Sequence, residues 1–278
     1  MRQFFVLVLL ALWVGAALGS ERSDQAAASE ARSLPLWEAG VGLGALRFPD
    51  YRGADQSQFH LLPMPAFVYR GEQLQVDDRG LRGLLFDSER VILDISLDGA
   101  VPVDSSQNGA RQGMPDLDGA VEVGPSLKFI LVDRQPWELR LNLPWRQVYS
   151  TDFRRIKARG SLFHPHLSLD HRRDWNLGLS LGPLYASRPF HDYYYGVDEA
   201  YATEDRPAYR ASGGYSGMRY TLSLSRRFER FWVGSYLRYD DLSRVAFRDS
   251  PLLRQDDAWM GGASVVWFFH QSERRVAR

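Results

Sequence analysis

Trp137-Glu138-Leu139-Arg140-Leu141-Asn142-Leu143-Pro144-Trp145-Arg146 alternates apolar and polar residues without a break. In an extended chain, successive side chains point to opposite faces. One face of this stretch is therefore Trp-Leu-Leu-Leu-Trp, apolar with an aromatic at each end. The other carries Glu138, Arg140, Asn142, Pro144 and Arg146. The same rhythm continues downstream. Phe163, Leu167 and Leu169 alternate with His164, His166, Ser168 and Asp170. Trp175, Leu177, Leu179, Leu181 and Tyr185 alternate with Asn176, Gly178, Ser180 and Gly182. Tyr220, Leu222 and Leu224 alternate with Thr221, Ser223 and Ser225, and Trp259, Val265, Trp267 and Phe269 oppose Gly262 and Ser264. Period two dominates from Trp37 to Phe269, and no strong helical period is visible in that span.

Alternation alone fits any half-buried antiparallel sheet. Two features select a membrane barrel. The strands are long, about 10–14 residues against a usual 5–6. Aromatics also sit at strand ends on the apolar face, where a lipid interface favours amphipathic rings. Connections alternate between long (near 49–58, 103–116, 150–156, 188–208 and 243–256) and short (near 71–72, 87–89, 133–136, 172–174 and 229–230). Outer-membrane barrels have that asymmetry, with short turns on the periplasmic side. Splitting residues 73–87 at Asp77-Asp78-Arg79-Gly80, a tight-turn sequence, makes the strand count even. The expected fold is all-β, a single transmembrane antiparallel up-and-down β-barrel of twelve strands over residues 35–270.

Composition agrees. The 278 residues are 45% hydrophobic and 24% charged, which suits a folded chain rather than a disordered one. Thirty-four basic and 34 acidic residues cancel, so the basic excess of a nucleic-acid binder is missing. Cysteine is absent, which excludes disulfides, thiolate metal sites and cysteine catalysis. At the start, Arg2 precedes the apolar run Phe4 to Leu18, and Ala17-Leu18-Gly19 offers small residues for cleavage. Residues 1–19 read as a signal peptide, cut after Gly19. Residues 20–34 read as a mobile periplasmic segment. After Phe269 comes a basic C-terminal tail, 271–278, with Arg274, Arg275 and Arg278. It is expected to be disordered, or else to form a periplasmic arm for acidic partners.

The chemistry is sparse. His164, His166, Ser168 and Asp170 share one polar strand face, and Pro165 interrupts the ladder between them. His-x-His with a carboxylate could hold a divalent cation. His with Ser could serve acyl transfer on lipid A. A polar lumen needs such residues in any case, and no catalytic residue, cofactor or metal site is assigned. Glu38, Asp94, Asp98, Glu122, Lys128, Glu138, Arg140, Arg146, Arg227 and Arg238 are expected to point inward and to pair. The Tyr-rich and acid-rich stretch 188–208 is expected to pack across the barrel mouth. Asp104 to Asp118 lacks a calcium-loop pattern and reads as an ordinary solvated loop.

Read as a whole, the chain resembles the MipA/OmpV family, the MltA-interacting-protein group. The matching stretches are Trp37 to Gly53 (WEAGVGLGALRFPDYRG), Leu62-Pro63-Met64-Pro65 with Tyr69-Arg70-Gly71, and Leu117 to Lys128 (LDGAVEVGPSLK). Tyr195-Gly196-Val197, Pro207-Ala208-Tyr209-Arg210 and Asp249-Ser250-Pro251-Leu252 complete them. The departures are Arg52, where the family more often has Pro, and the tail beyond the last aromatic. The resemblance implies a cell outer membrane protein among lipid and lipopolysaccharide. It also implies a non-catalytic scaffold that anchors a murein transglycosylase and a peptidoglycan synthase. A narrow pore or small-solute binding barrel is the alternative, with a lipid A-modifying hydrolase behind it.

Overall fold

The computed structural model describes residues 34–71, 74–77, 80–152 and 154–276. The expected signal peptide, residues 20–33 and Arg278 lie outside the described residues. The strands are β1 (Leu34–Pro35), β2 (Trp37–Pro49), β3 (Ser57–Arg70), β4 (Leu74–Asp77), β5 (Gly80–Asp87), β6 (Val91–Ala100), β7 (Gly119–Arg134) and β8 (Trp137–Thr151). They continue with β9 (Ile156–Phe163), β10 (His166–Arg172), β11 (Asn176–Ala186), β12 (Gly214–Arg227), β13 (Phe231–Asp241), β14 (Asp257–Gln271) and β15 (Arg275–Val276).

Strands β2 to β14 form one antiparallel sheet that returns on itself. β14 pairs with β2 through Gly261↔Arg47 down to Gln271↔Glu38. β8 pairs with β9 along Trp145–Thr151 and with β10 along Trp137–Asn142. β11 bonds both pieces from the other side. β9 and β10 are thus two halves of one pass, interrupted at His164-Pro165 because proline cannot donate to a ladder. The 13-stranded sheet therefore makes twelve passes. The hairpin of β4 and β5 turns between Asp77 and Gly80, as the tight-turn sequence requires.

The outward face is the apolar one. Trp145, Tyr185, Tyr220 and Trp259 are exposed toward the external end, and Trp137, Trp175, Phe231 and Trp267 toward the periplasmic end. Leu179, Leu222 and Val265 are exposed between the two girdles. Adjacent girdle rings touch, with Tyr239 and Trp259 centroids 4.7 Å apart. The inward face carries the small and polar alternates. Where a large side chain points inward, a glycine makes room. The Trp232 ring lies across Gly234, where a Cβ would meet it at 2.0 Å.

Three features differ from the sequence reading. A helix, α1 (Arg188–Tyr195), sits in the longest loop. Its two turns are too short for a helical period to show, although Pro in its first turn suits a helix start. The tail is not disordered as far as Val276. Leu34 and Pro35 pair with Val276 and Arg275, so the first and last described segments join in one short ribbon. The stretch 104–118 is not simply solvated either, since Ser105, Asn108, Arg111 and Leu117 are buried.

Leu222 lies in the middle of the apolar belt on β12. Leu222→Arg should destabilise the barrel in liposomes by about 2–4 kcal/mol, the cost of a cation near the bilayer midplane. Urea titration followed by the faster migration of unboiled protein would measure it. An unchanged midpoint would place this face outside lipid.

Candidate functional site

The interior is built in layers. At the periplasmic end, Val68, Trp232, Val266 and Phe268 form a buried apolar floor. Beside it, the Glu38 carboxylate accepts from Arg70 at 2.6 Å and also from Arg227. The Arg227 guanidinium stacks 3.9 Å above the Phe268 ring. Arg70 also donates to the Pro35 carbonyl at 2.9 Å, which ties the terminal ribbon to the floor.

Above the floor the strands present paired charges. Glu138 bonds Arg140 at 3.0 Å and Arg172 at 2.9 Å. Arg140 also holds Asp170, and Lys128 holds Asp94. Higher up, Arg146 meets Asp98 at 3.0 Å and Glu122 at 3.4 Å. Signs alternate rather than cluster, and each of these carboxylates has a cationic partner. Buried ions are tolerated only when paired and hydrogen-bonded.

His164, His166, Ser168 and Asp170 all face this interior. The two imidazoles stack with centroids 4.4 Å apart, and His166 Nδ1 bonds the His164 carbonyl at 2.8 Å. Asn142 donates to Ser168 Oγ at 2.9 Å. Asp170 is committed to Arg140. The strand therefore brings the four residues to one face but shares them among separate networks. Among the described residues, no group of three or more His, Cys, Asp or Glu is placed to hold a metal.

The external mouth is roofed. Segments 50–56, 101–118, 187–213 and 242–256 pack around Tyr51, Val103, Leu117, Tyr195, Phe247 and Leu252. Tyr195 stacks on Phe247 at 3.7 Å between centroids, and its hydroxyl donates to the Arg52 carbonyl at 2.9 Å. Burial pushes the Tyr195 phenol up, out of the range in which it ionises. The expectation that 188–208 crosses the mouth is met, through α1. Arg52, the family departure, clamps roof to wall. Its guanidinium bonds Asp240 at 2.6 Å and the Ser216 carbonyl at 2.6 Å. Asp240 accepts two further bonds from Arg219, each 2.8 Å.

Between roof and paired charges lies a chamber of about 160 Å³. Its wall includes Leu46, Phe48, Leu162, Leu184, Phe190 and Met260, with Asp98, Glu122, Arg219, Arg238 and Asp240 also lining it. The sequence reading did not single out this chamber. It is assembled from eight strands and three loops, so no local pattern marks it. The one available signal was Arg52 beside Tyr51, a charged departure in a tight loop.

The periplasmic candidates Arg274 and Arg275 are exposed on the terminal ribbon. The ribbon also bonds the barrel edge, with Leu36 N–H to the Arg274 carbonyl at 2.8 Å and Ser272 N–H to the Trp37 carbonyl at 2.9 Å.

Comparison with known proteins agrees with this architecture. Residues 41–269 match the family described as MltA-interacting protein MipA. The outer membrane protein OmpV of Vibrio cholerae is 26% identical over 214 residues, covering 73% of this chain and 76% of that one. The outer membrane protein Omp26La of Vibrio anguillarum is 33% identical over 91 residues, 32% of this chain; the match spans only 34% of its length. Among solved structures, an outer membrane channel from Pseudomonas putida F1 aligns over 88% of this chain and all of its own, at 11% identity and a TM-score of 0.45.

The roof contains a titratable core residue. His191 on α1 is fully buried, packs 4.6 Å from Phe247 and donates from Nδ1 to the Ser212 carbonyl at 2.6 Å. Burial lowers its pKa below the ordinary 6.5, so the folded roof holds it neutral. A base with a lowered folded pKa stabilises above its unfolded pKa and loses that stability as pH falls. Acidification from pH 7 to pH 5 should therefore loosen the roof. Amide exchange across 188–213, corrected for intrinsic rates, should rise in the native protein. His191→Gln should flatten that pH dependence.

Proposed function

The chain belongs to the MltA-interacting protein MipA family, and from that premise we propose that this outer membrane barrel is a non-catalytic anchor for peptidoglycan-remodelling enzymes. The partners on this reading are a murein transglycosylase and a peptidoglycan synthase. The observation that carries it is the family match across residues 41–269, whose description names an interaction with MltA.

The structure supports the reading in two ways. First, the interior is committed to holding the barrel rigid. Asp170 and Arg140 bond each other, and Ser168 accepts from Asn142, which ties these side chains into the wall. Second, the periplasmic side carries an ordered docking element. The ribbon of β1 and β15 is fixed to the floor through Arg70 and presents Arg274 and Arg275 outward. Exposed basic residues on a rigid element steer acidic partners with little ordering cost.

Cross-linking in intact cells, followed by purification and mass spectrometry, tests the proposal. A transglycosylase or synthase should be recovered with this protein and not with an unrelated barrel. The double charge reversal Arg274→Glu with Arg275→Glu should lower recovery about tenfold while unboiled migration stays fast. Lipid A acylation should be the same with His166→Ala or Ser168→Ala as without them. Recovery of barrel-insertion factors and lipopolysaccharide alone would remove the anchor role, and altered acylation would restore the hydrolase.

A further inference from the structure

The external rim is unequally charged. Above β8 and β9 it carries Arg154, Arg155 and Lys157, all exposed. Farther round the ring, Asp241 and Asp257 stand in register at the external ends of β13 and β14. The roof cations Arg210, Arg248 and Arg254 each pair with a carboxylate, of Asp198, Asp256 and Asp55 in turn. Arg154, Arg155 and Lys157 have no carboxylate oxygen within 4.0 Å of their cationic nitrogens among the described residues. The acid beside them, Asp152, is turned to the backbone. It accepts from the Arg154 amide at 2.9 Å and the Arg155 amide at 2.8 Å. Arg159, on the same strand, is used differently. It donates to Ser150 Oγ at 2.7 Å and lies 4.0 Å over the Tyr193 ring, tying wall to roof.

The same part of the rim carries apolar surface on its outer side. The pairs Tyr149↔Ala158 and Thr151↔Ile156 place Ile156 on the face that holds Trp145 and Tyr149. Ile156 is 76% exposed, more than any other large apolar side chain among the described residues, and Tyr149 is exposed as well. Trp145 belongs to the external aromatic girdle. Thr151 is six residues farther along β8, about 20 Å at strand rise and about 15 Å along the barrel axis at a tilt near 40°. Ile156, its ladder partner, therefore stands above the hydrocarbon, at the level of headgroups.

Cations interleaved with outward apolar side chains at that height match a phosphorylated sugar. Phosphate oxygens accept charge-assisted bonds from guanidinium and ammonium groups. The C–H faces of a sugar ring pack on aromatic and aliphatic side chains such as Tyr149 and Ile156. The outer leaflet of an outer membrane is built of lipopolysaccharide, whose phosphorylated sugars occupy this level. A glycerophospholipid would put its phosphate lower, nearer the girdle, and would bring no ring for the apolar surface.

We propose that Arg154, Arg155 and Lys157, together with Tyr149 and Ile156, form a binding site for the phosphorylated saccharide headgroup of one lipopolysaccharide molecule. Phosphates of neighbouring lipopolysaccharide molecules repel one another and are bridged by divalent cations. Cations fixed on the rim serve the same purpose without a metal, so binding here persists in a chelator. The rim at Asp241 and Asp257 has the opposite sign and repels the same headgroup, which confines the contact to the β8–β9 side. The site rests on the outer membrane placement and not on the anchor reading. It lies at the opposite end of the barrel from the terminal ribbon, and either can fail without the other.

Native mass spectrometry of the folded protein in detergent, with EDTA and with lipopolysaccharide truncated to its inner phosphorylated sugars, tests the site. The protein should hold one lipopolysaccharide per chain, saturably. Arg154→Glu, Arg155→Glu and Lys157→Glu together should weaken binding about tenfold or more while unboiled migration stays fast. Arg210→Glu, Arg244→Glu and Arg254→Glu together make the same change in net charge elsewhere on the roof. In physiological salt, which screens distant exposed charges, they should alter binding by less than about twofold. Phosphatase-treated lipopolysaccharide should bind the native protein as weakly as the intact molecule binds the first variant. Phosphatidylglycerol and inorganic phosphate at equal concentration should not compete. Absence of a saturable complex, equal loss in the two triple variants, undiminished binding after phosphatase, or competition by phosphatidylglycerol or phosphate would each overturn the site.

Discussion

A peptide group in hydrocarbon finds no water to bond, and each unsatisfied N–H or C=O costs several kcal/mol. The twelve passes answer that constraint by giving nearly every strand two neighbours, with β14 returning to β2. The interrupted pass follows the same logic. β9 and β10 share the neighbours β8 and β11, so the break at Pro165 leaves their remaining groups paired.

Closing the sheet creates a second problem, the fate of the inward face. A lumen of this width cannot be filled by leucine alone without making both faces apolar and losing the alternation that places the sheet in lipid. The chain fills it instead with carboxylate–guanidinium pairs, an apolar floor around Trp232 and Phe268, and a roof around Tyr195 and Phe247. Arg is the cation of nearly all these pairs. Its planar fork can serve two acceptors at once, as Arg140 does for Glu138 and Asp170.

These two solutions leave the terminal ribbon on the outside of the barrel end. The periplasmic ribbon is basic and hydrogen-bonded to Arg70, which suits attachment of a partner at the inner side of the outer membrane.

The alternation from Trp37 to Phe269 determined the barrel, the lipid-facing side, the inward charges and the twelve-pass count. Period two is a local property, and a single-residue shift would turn every apolar side chain inward. The tight turn at Asp77 to Gly80 and the inward placement of His164, His166, Ser168 and Asp170 were legible for the same reason. Tertiary structure alone decided who pairs with whom. Asp170 meets Arg140 across a ladder, and Arg52 meets Asp240, 188 positions away. The order of the tail, the helix in the roof and the chamber also arise from contacts between segments distant in the chain. Local pattern dictates which face a side chain takes, but closure of the sheet dictates what it finds there.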